Sequence, residues 1–186
     1  MKTIFLDRDG VINFDSPNYI KGIDEVRFIP QSLDAIVRLT QAGFQIFIIT
    51  NQAGIGRGLF TLEDLSDTHA FITQAVEDAG GNIVGIFFCP HAPDDGCDCR
   101  KPNAGLFEQA REIYDIDMDT AIMIGDSAKD MWAATNAGCV TTILVQTGYT
   151  PMEQILSDLP EHTPAYIARD LSDAADWILA RGRKGI

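Results

Sequence analysis

Three cysteines and a histidine, Cys89, His91, Cys97 and Cys99, fall within eleven residues, and Arg100 and Lys101 follow at once. The pattern Cys-x-His…Cys-x-Cys offers four soft donors, the number Zn²⁺ takes in tetrahedral sites. A shell filled by protein leaves no position for a catalytic water, so the ion this suggests is structural. A disulfide is the alternative, but it requires an oxidising compartment and leaves His91 without a task. A nucleic-acid-binding finger fits worse, because the spacing leaves no room for a finger helix and the net charge is −13. Zinc at Cys99 would pin the backbone there and aim the two cations that follow it.

A second set of residues is acidic. The stretch LDRDGV places Asp7 and Asp9 two apart, and GDSAKD supplies Asp126 and Asp130. Clustered carboxylates repel, and a hard divalent cation such as Mg²⁺ relieves this while keeping waters that phosphate oxygens can replace. Aspartate is ionised at neutral pH, which makes it a ready nucleophile for phosphorus once a cation screens the repulsion. The stretch IITNQAGIGRG adds Thr50 and Asn51 as donors to phosphate oxygens, and glycines at 54, 56 and 58 that bend around a ligand. Lys101 is a compact positive charge, while Arg57 and Arg100 can each grip a phosphate with two bonds.

The elements that must position these groups alternate. Apolar runs at Thr3–Leu6, Phe44–Thr50, Asn82–Cys89, Thr120–Asp126 and Val140–Val145 read as five buried strands. Helices are predicted over 31–42, over 61–79 with Thr61 and Asp64 as a capping box, and over 104–114, 129–137 and 171–181. Strands buried on both faces with helices between them form a parallel sheet, which binds ligands at the carboxyl ends of its strands. Asp7, Thr50, Cys89 and Asp126 all stand where an apolar run ends, so they converge on one edge. Trp132 and Trp177 sit among alanines at helical spacing and are expected to pack. Cys139 reads as a core thiol, and neither His69 nor His162 has a role assigned. Residues after Tyr149 offer no chemistry.

Composition sets limits on partners. With 186 residues, 46% of them apolar, the chain can bury a core without staples. A net charge of −13 disfavours nucleic acid and anionic membranes as partners, though not a small phosphorylated ligand. Charged residues arrive too early for a signal peptide, and no apolar run approaches a membrane span. A cytoplasmic protein is the expectation, and a monomer, since no large apolar stripe is left over.

DRDG at Asp7–Gly10, TN at Thr50–Asn51, Lys101 and GDSAKD at Gly125–Asp130 resemble, in order, the four motifs of the haloacid dehalogenase-like phosphatases. The likeness spans residues 3 to about 147. Within that family, LDRDGVIN, NQAGIGRG and CPHAPDDGCDCRKP are similar to the subgroup holding the heptose 1,7-bisphosphate and histidinol-phosphate phosphatases, and PNYIK with Arg57 favours the heptose members. The resemblance implies a single α/β domain over 1–186, Rossmann-like, with a parallel sheet and helices on both faces, capless, with a zinc-binding loop.

It also implies roles. Asp7 would be the nucleophile, and Asp9 the acid and base. Thr50 and Lys101 would stabilise the transferring phosphoryl group. Mg²⁺ would be held by Asp7, the Asp9 carbonyl and Asp126, and structural Zn²⁺ by Cys89, His91, Cys97 and Cys99. Asp15, Asn18, Tyr19, Asn51, Gln52, Arg57 and Arg100 would contact a phosphorylated heptose, which loses its 7-phosphate on the route to bacterial envelope glycan. Asp130 would orient its neighbours outside the metal shell. The site would be open, covered by loops 14–23, 53–60 and 89–99. Ser127 stands where some heptose enzymes have lysine, with Lys129 nearby. Histidinol phosphate, or a non-catalytic phosphosugar-binding role, is the alternative.

Overall fold

The computed structural model describes residues 2–159 and 164–182; His162 lies outside them. The chain runs β1 (Thr3–Leu6), α1 (Ser32–Gln41), β2 (Gln45–Asn51), α2 (Leu62–Asp78), β3 (Gly85–Cys89), α3 (Gly105–Ile113), β4 (Ile122–Gly125), α4 (Ala128–Asn136), β5 (Thr141–Val145), α5 (Met152–Ser157), β6 (Tyr166–Ala168) and α6 (Leu171–Gly182). All six strands are parallel, in the order β3-β2-β1-β4-β5-β6. The order reverses between β1 and β4, and that switch point is where doubly wound sheets open a crevice for ligands.

Alternation along the strands divides the core in two. Ile4, Leu6, Ile46 and Ile48 face α1, α2 and α6, while Phe5, Phe47 and Ile49 face α3 and α4. Each such side chain, fully buried, contributes about 2 kcal/mol. The capping box of α2 forms as its sequence predicts, with Thr61 Oγ1 accepting from the Asp64 backbone and the Asp64 carboxylate accepting in return. Residues 7–31 connect β1 to α1 through loops and a single 3₁₀ turn at Ile23–Glu25, with no inserted layer over the sheet edge. None of the described helices is long and apolar enough to cross a membrane.

Three expectations need correcting. The sheet has a sixth strand, β6, and α5 precedes it; three and six residues are too few to show a period in the sequence. The third strand starts at Gly85 rather than Asn82. Trp177 packs, stacked on Tyr166 at 5.3 Å, but Trp132 keeps 38% of its surface exposed.

Candidate active site

The chemistry gathers where β1 and β4 end. The backbone N–H of Asp7 still donates to Ile124 O at 3.0 Å, so the first residue past β1 is held by the sheet ladder. Gly10 then turns the chain with φ +81°, and a Cβ there would lie 2.1 Å from Asp126 Oδ2; only glycine fits. Asp126 follows β4 directly. One carboxylate oxygen from each of Asp7, Asp126 and Asp130 lies within 4.8 Å of the others, a spacing that could hold a cation.

Lys101 reaches this cluster from the far side. Its Nζ lies 3.0 Å from Asp7 Oδ1 and 2.5 Å from Asp130 Oδ1, and donates to Ile49 O at 2.9 Å. Asp130, fully buried, also accepts from Ser127 N and Oγ and so caps α4. Burial pushes Asp7 up to about 7, opposed by Lys101 and reinforced by Asp130 and Asp9. Burial likewise raises Asp126, with Asp130 and Asp7 adding to it. Lys101 moves up because Asp130 and Asp7 outweigh its burial. Three carboxylates facing one ammonium leave the site short of positive charge, and an all-oxygen donor set of this kind suits Mg²⁺.

Asp9 stands apart from that cluster in a web of donors. Arg8 Nη2 binds its Oδ2 at 2.8 Å, Asn13 Nδ2 its Oδ1 at 2.8 Å and Gln52 Nε2 its Oδ2 at 2.9 Å. Burial would raise its pKa, but these donors, Arg8 foremost, hold it below the ordinary value. Gln52 bridges outward, donating also to Thr50 Oγ1 at 2.8 Å and accepting from Arg8. Arg8 is fully buried, with His69 Nε2 3.3 Å from its Nη1. Burial, then Arg8, push His69 down to about 3, so it is neutral. Sequence reasoning passed over Arg8 and His69. The only signal for Arg8 was its place between two acids at the end of a buried strand.

A cavity of about 520 Å³ opens over these groups. Asp15, Tyr19 and Arg100 line it as expected. Burial, then Asp9, push Asp15 up to about 6. Arg100 Nη1 is buried without a hydrogen-bond partner among the described residues, so it retains a free donor. Other expectations meet a different geometry. Asn51, read as a phosphate donor, commits both side-chain heteroatoms to the Lys101 backbone. The Arg57 guanidinium sits 5.8 Å from the Tyr19 ring centroid and outside the cavity lining, as does Asn18. Tyr19 holds a left-handed backbone at φ +63°, uncommon for a non-glycine residue. Ser127 and Lys129 both line the cavity. So do Trp132 and residues of the 149–158 segment, where the sequence offered no chemistry.

Beside the cavity the Cys89–Cys99 loop closes on itself. Cys89 Sγ lies 3.6 Å from Cys97 Sγ and 3.6 Å from His91 Nδ1; Cys99 Sγ lies 3.6 Å from Cys97 Sγ and 3.2 Å from His91 Nδ1. A tetrahedron built on roughly 2.3 Å Zn–S bonds has edges of about 3.8 Å, so the four donors stand close to a zinc shell. The thiols are free. The glycine-rich loop buttresses this one: Gly56 N donates to Pro90 O at 2.8 Å, and a Cβ on Gly56 would come 2.6 Å from Ala92 N.

Comparison with known proteins agrees with this geometry. Residues 98–174 match the HAD-hydrolase-like family model. The D-glycero-β-D-manno-heptose-1,7-bisphosphate 7-phosphatase of Bordetella bronchiseptica is 44% identical over 96% of this chain and 98% of its own. The chain belongs to the HAD-like hydrolases. A second member, the enzyme of the same name from Pseudomonas aeruginosa, is 44% identical over 95% of this chain and 97% of its own. Among solved HAD-like structures, the D,D-heptose 1,7-bisphosphate phosphatase from B. bronchiseptica, complexed with magnesium and phosphate, superposes with a TM-score of 0.90 at 43% identity, covering 97% of this chain and 99% of that one. The parallel sheet and its switch-point crevice are thus those of a HAD-like phosphatase.

Proposed function

We propose that the protein is a Mg²⁺-dependent phosphatase that removes the 7-phosphate of D-glycero-β-D-manno-heptose 1,7-bisphosphate by way of an aspartyl-phosphate on Asp7. One observation carries the reading: in a chain so similar to enzymes of that name, Lys101 Nζ lies 3.0 Å from Asp7 Oδ1, both lining the cavity, with Asp126 and Asp130 grouped around them.

Asp7 attacks phosphorus, and the bond to the sugar oxygen breaks as that oxygen takes a proton from Asp9. The resting web of donors favours ionised Asp9. A phosphate dianion arriving beside it raises its pKa, so that Asp9 takes up a proton from solvent. Water then attacks the phosphoenzyme, giving its proton to Asp9. The bond to Asp7 breaks and inorganic phosphate leaves. Lys101 and the Thr50 hydroxyl stabilise the charge that spreads over the phosphoryl oxygens, work done by position and electrostatics. Asp7, the Asp9 carbonyl and Asp126 would hold Mg²⁺, which supplies screening between the nucleophile and the phosphate. Asp130 fixes Lys101 and the start of α4.

Cys89, His91, Cys97 and Cys99 would hold Zn²⁺ as a structural ion. Bound there, it would pin the turn that presents Arg100 and Lys101. Arg100, with an unpaired buried nitrogen, receives an anionic group of the substrate, and Asp15 and Tyr19 meet its sugar.

Beryllium fluoride with Mg²⁺ tests the nucleophile. The wild type should be inhibited tightly and carry one adduct on Asp7, whereas Asp7→Asn should carry none. An adduct on any other residue sinks the assignment.

A further inference from the structure

We infer that α5 and the face of α4 opposite it form the sugar-recognising wall of this site, with Trp132 and Gln154 setting specificity. The inference rests on the substrate reading above. Besides the reacting groups, the 520 Å³ cavity is lined by Trp132 from α4 and by Tyr149, Thr150, Gln154, Ile155 and Asp158.

This wall is fixed. Ile155 is 3% exposed and packs into a cluster with Met131 and Leu144, which ties α5 to α4 and β5. Trp132 Nε1 donates to Asp158 O at 2.8 Å and joins α4 to the end of α5. With its polar edge so occupied, the indole keeps 38% of its surface exposed, and Tyr149 at the cavity mouth keeps 63%. Gln154 is exposed beside buried Ile155, and its amide makes no side-chain hydrogen bond among the described residues.

The chemistry of the wall is that of a polyol site. Aromatic faces accept the C–H side of a sugar ring, while an amide and a threonine hydroxyl can donate to and accept from hydroxyls. None of Trp132, Tyr149, Thr150 and Gln154 carries a positive charge, so these residues suit sugar hydroxyls rather than a second phosphate; Arg100 and Lys129, which also line the cavity and share a smaller neighbouring one, supply cations for that. With no inserted layer over the sheet edge, the chain uses its own α5 where a lid would otherwise read the leaving group. Binding energy gained on that remote part of the substrate can be expressed at the reacting phosphate.

The test is the ratio of kcat/KM for the heptose bisphosphate to kcat/KM for acetyl phosphate, which has no sugar. Gln154→Ala and Trp132→Ala should each lower this ratio about tenfold, the scale of a lost contact to a substrate hydroxyl or ring face. Trp132→Phe, which keeps a ring, should restore it to within about threefold. If both alanine variants keep the wild-type ratio, or lose both activities in parallel, the wall does not read the sugar. Gln154 is exposed, so its variant remains informative even if Trp132→Ala folds poorly. A wild-type ratio near one would overturn the substrate reading, and the wall with it; that failure shows before any variant is made.

Discussion

Asn51 holds the backbone of Lys101 at both ends of one residue: its Nδ2 donates to Lys101 O at 3.1 Å, and its Oδ1 accepts from Lys101 N at 3.0 Å. The amide that ends β2 therefore sets the base of the side chain that must meet the phosphoryl group. Asn51→Ala should reduce kcat about a hundredfold while moving KM less, because an ammonium displaced by about 1 Å loses that much of its effect. Steady-state kinetics decide it; an unchanged kcat would mean the Cys89–Cys99 loop alone positions Lys101.

With zinc held by Cys89, His91, Cys97 and Cys99 as proposed, its removal should act on the same side chain from the other direction. A Cys97→Ser protein, or one stripped by a chelator and resupplied with Mg²⁺, should show KM for the bisphosphate raised about tenfold and a lower kcat, with zinc content measured in parallel. Full turnover and affinity in zinc-free protein would show that the loop orders itself.

Arg8 is a buried guanidinium serving Asp9, Gln52 and His69 at once. Arg8→Met should destabilise the protein by about 3 kcal/mol, since the charge of Asp9 then loses its main partner. It should also slow the chemical step. Urea unfolding and single-turnover kinetics separate the two effects. A stable, fast variant would contradict a positioning role for Arg8.

The carboxylate cluster makes stability depend on pH. Burial pushes Asp7 up to about 7 in the metal-free fold, from an ordinary value of 3.8. Between those values the folded state binds a proton that the unfolded state does not. Metal-free stability from this group is therefore fully present below about pH 4 and lost as pH rises through about 7. Asp126, raised in the same direction, adds to the loss. Mg²⁺ should recover it, so the rise in Tm on adding Mg²⁺ should be larger at pH 8 than at pH 5. Equal shifts at both pH values would place the ion elsewhere.

How much of this was legible in the sequence depends on the range of the signal. Strand ends were legible, because an apolar run closed by Asp7 or Asp126 states both the strand and its functional edge. The Thr61–Asp64 capping box was legible too, since both partners lie within one turn. Asn51 was noticed as a donor, but its grip on the Lys101 backbone was not legible, because that bond spans fifty residues. Arg8 was missed because arginine is rarely buried, and only the arrival of Gln52 and His69 around it makes that burial tolerable. The α5 wall was missed because a six-residue helix has too few turns to show a period, and its place over the cavity is set by Ile155 packing on Met131 and Leu144.

One measurement tests the substrate directly: phosphate release with Mg²⁺ from both anomers of heptose 1,7-bisphosphate, from heptose 7-phosphate and from histidinol phosphate, compared as kcat/KM. The β-bisphosphate should exceed every other compound by about a hundredfold or more, roughly 2.7 kcal/mol of transition-state binding. Preference for histidinol phosphate, or no turnover of any heptose phosphate, would contradict it.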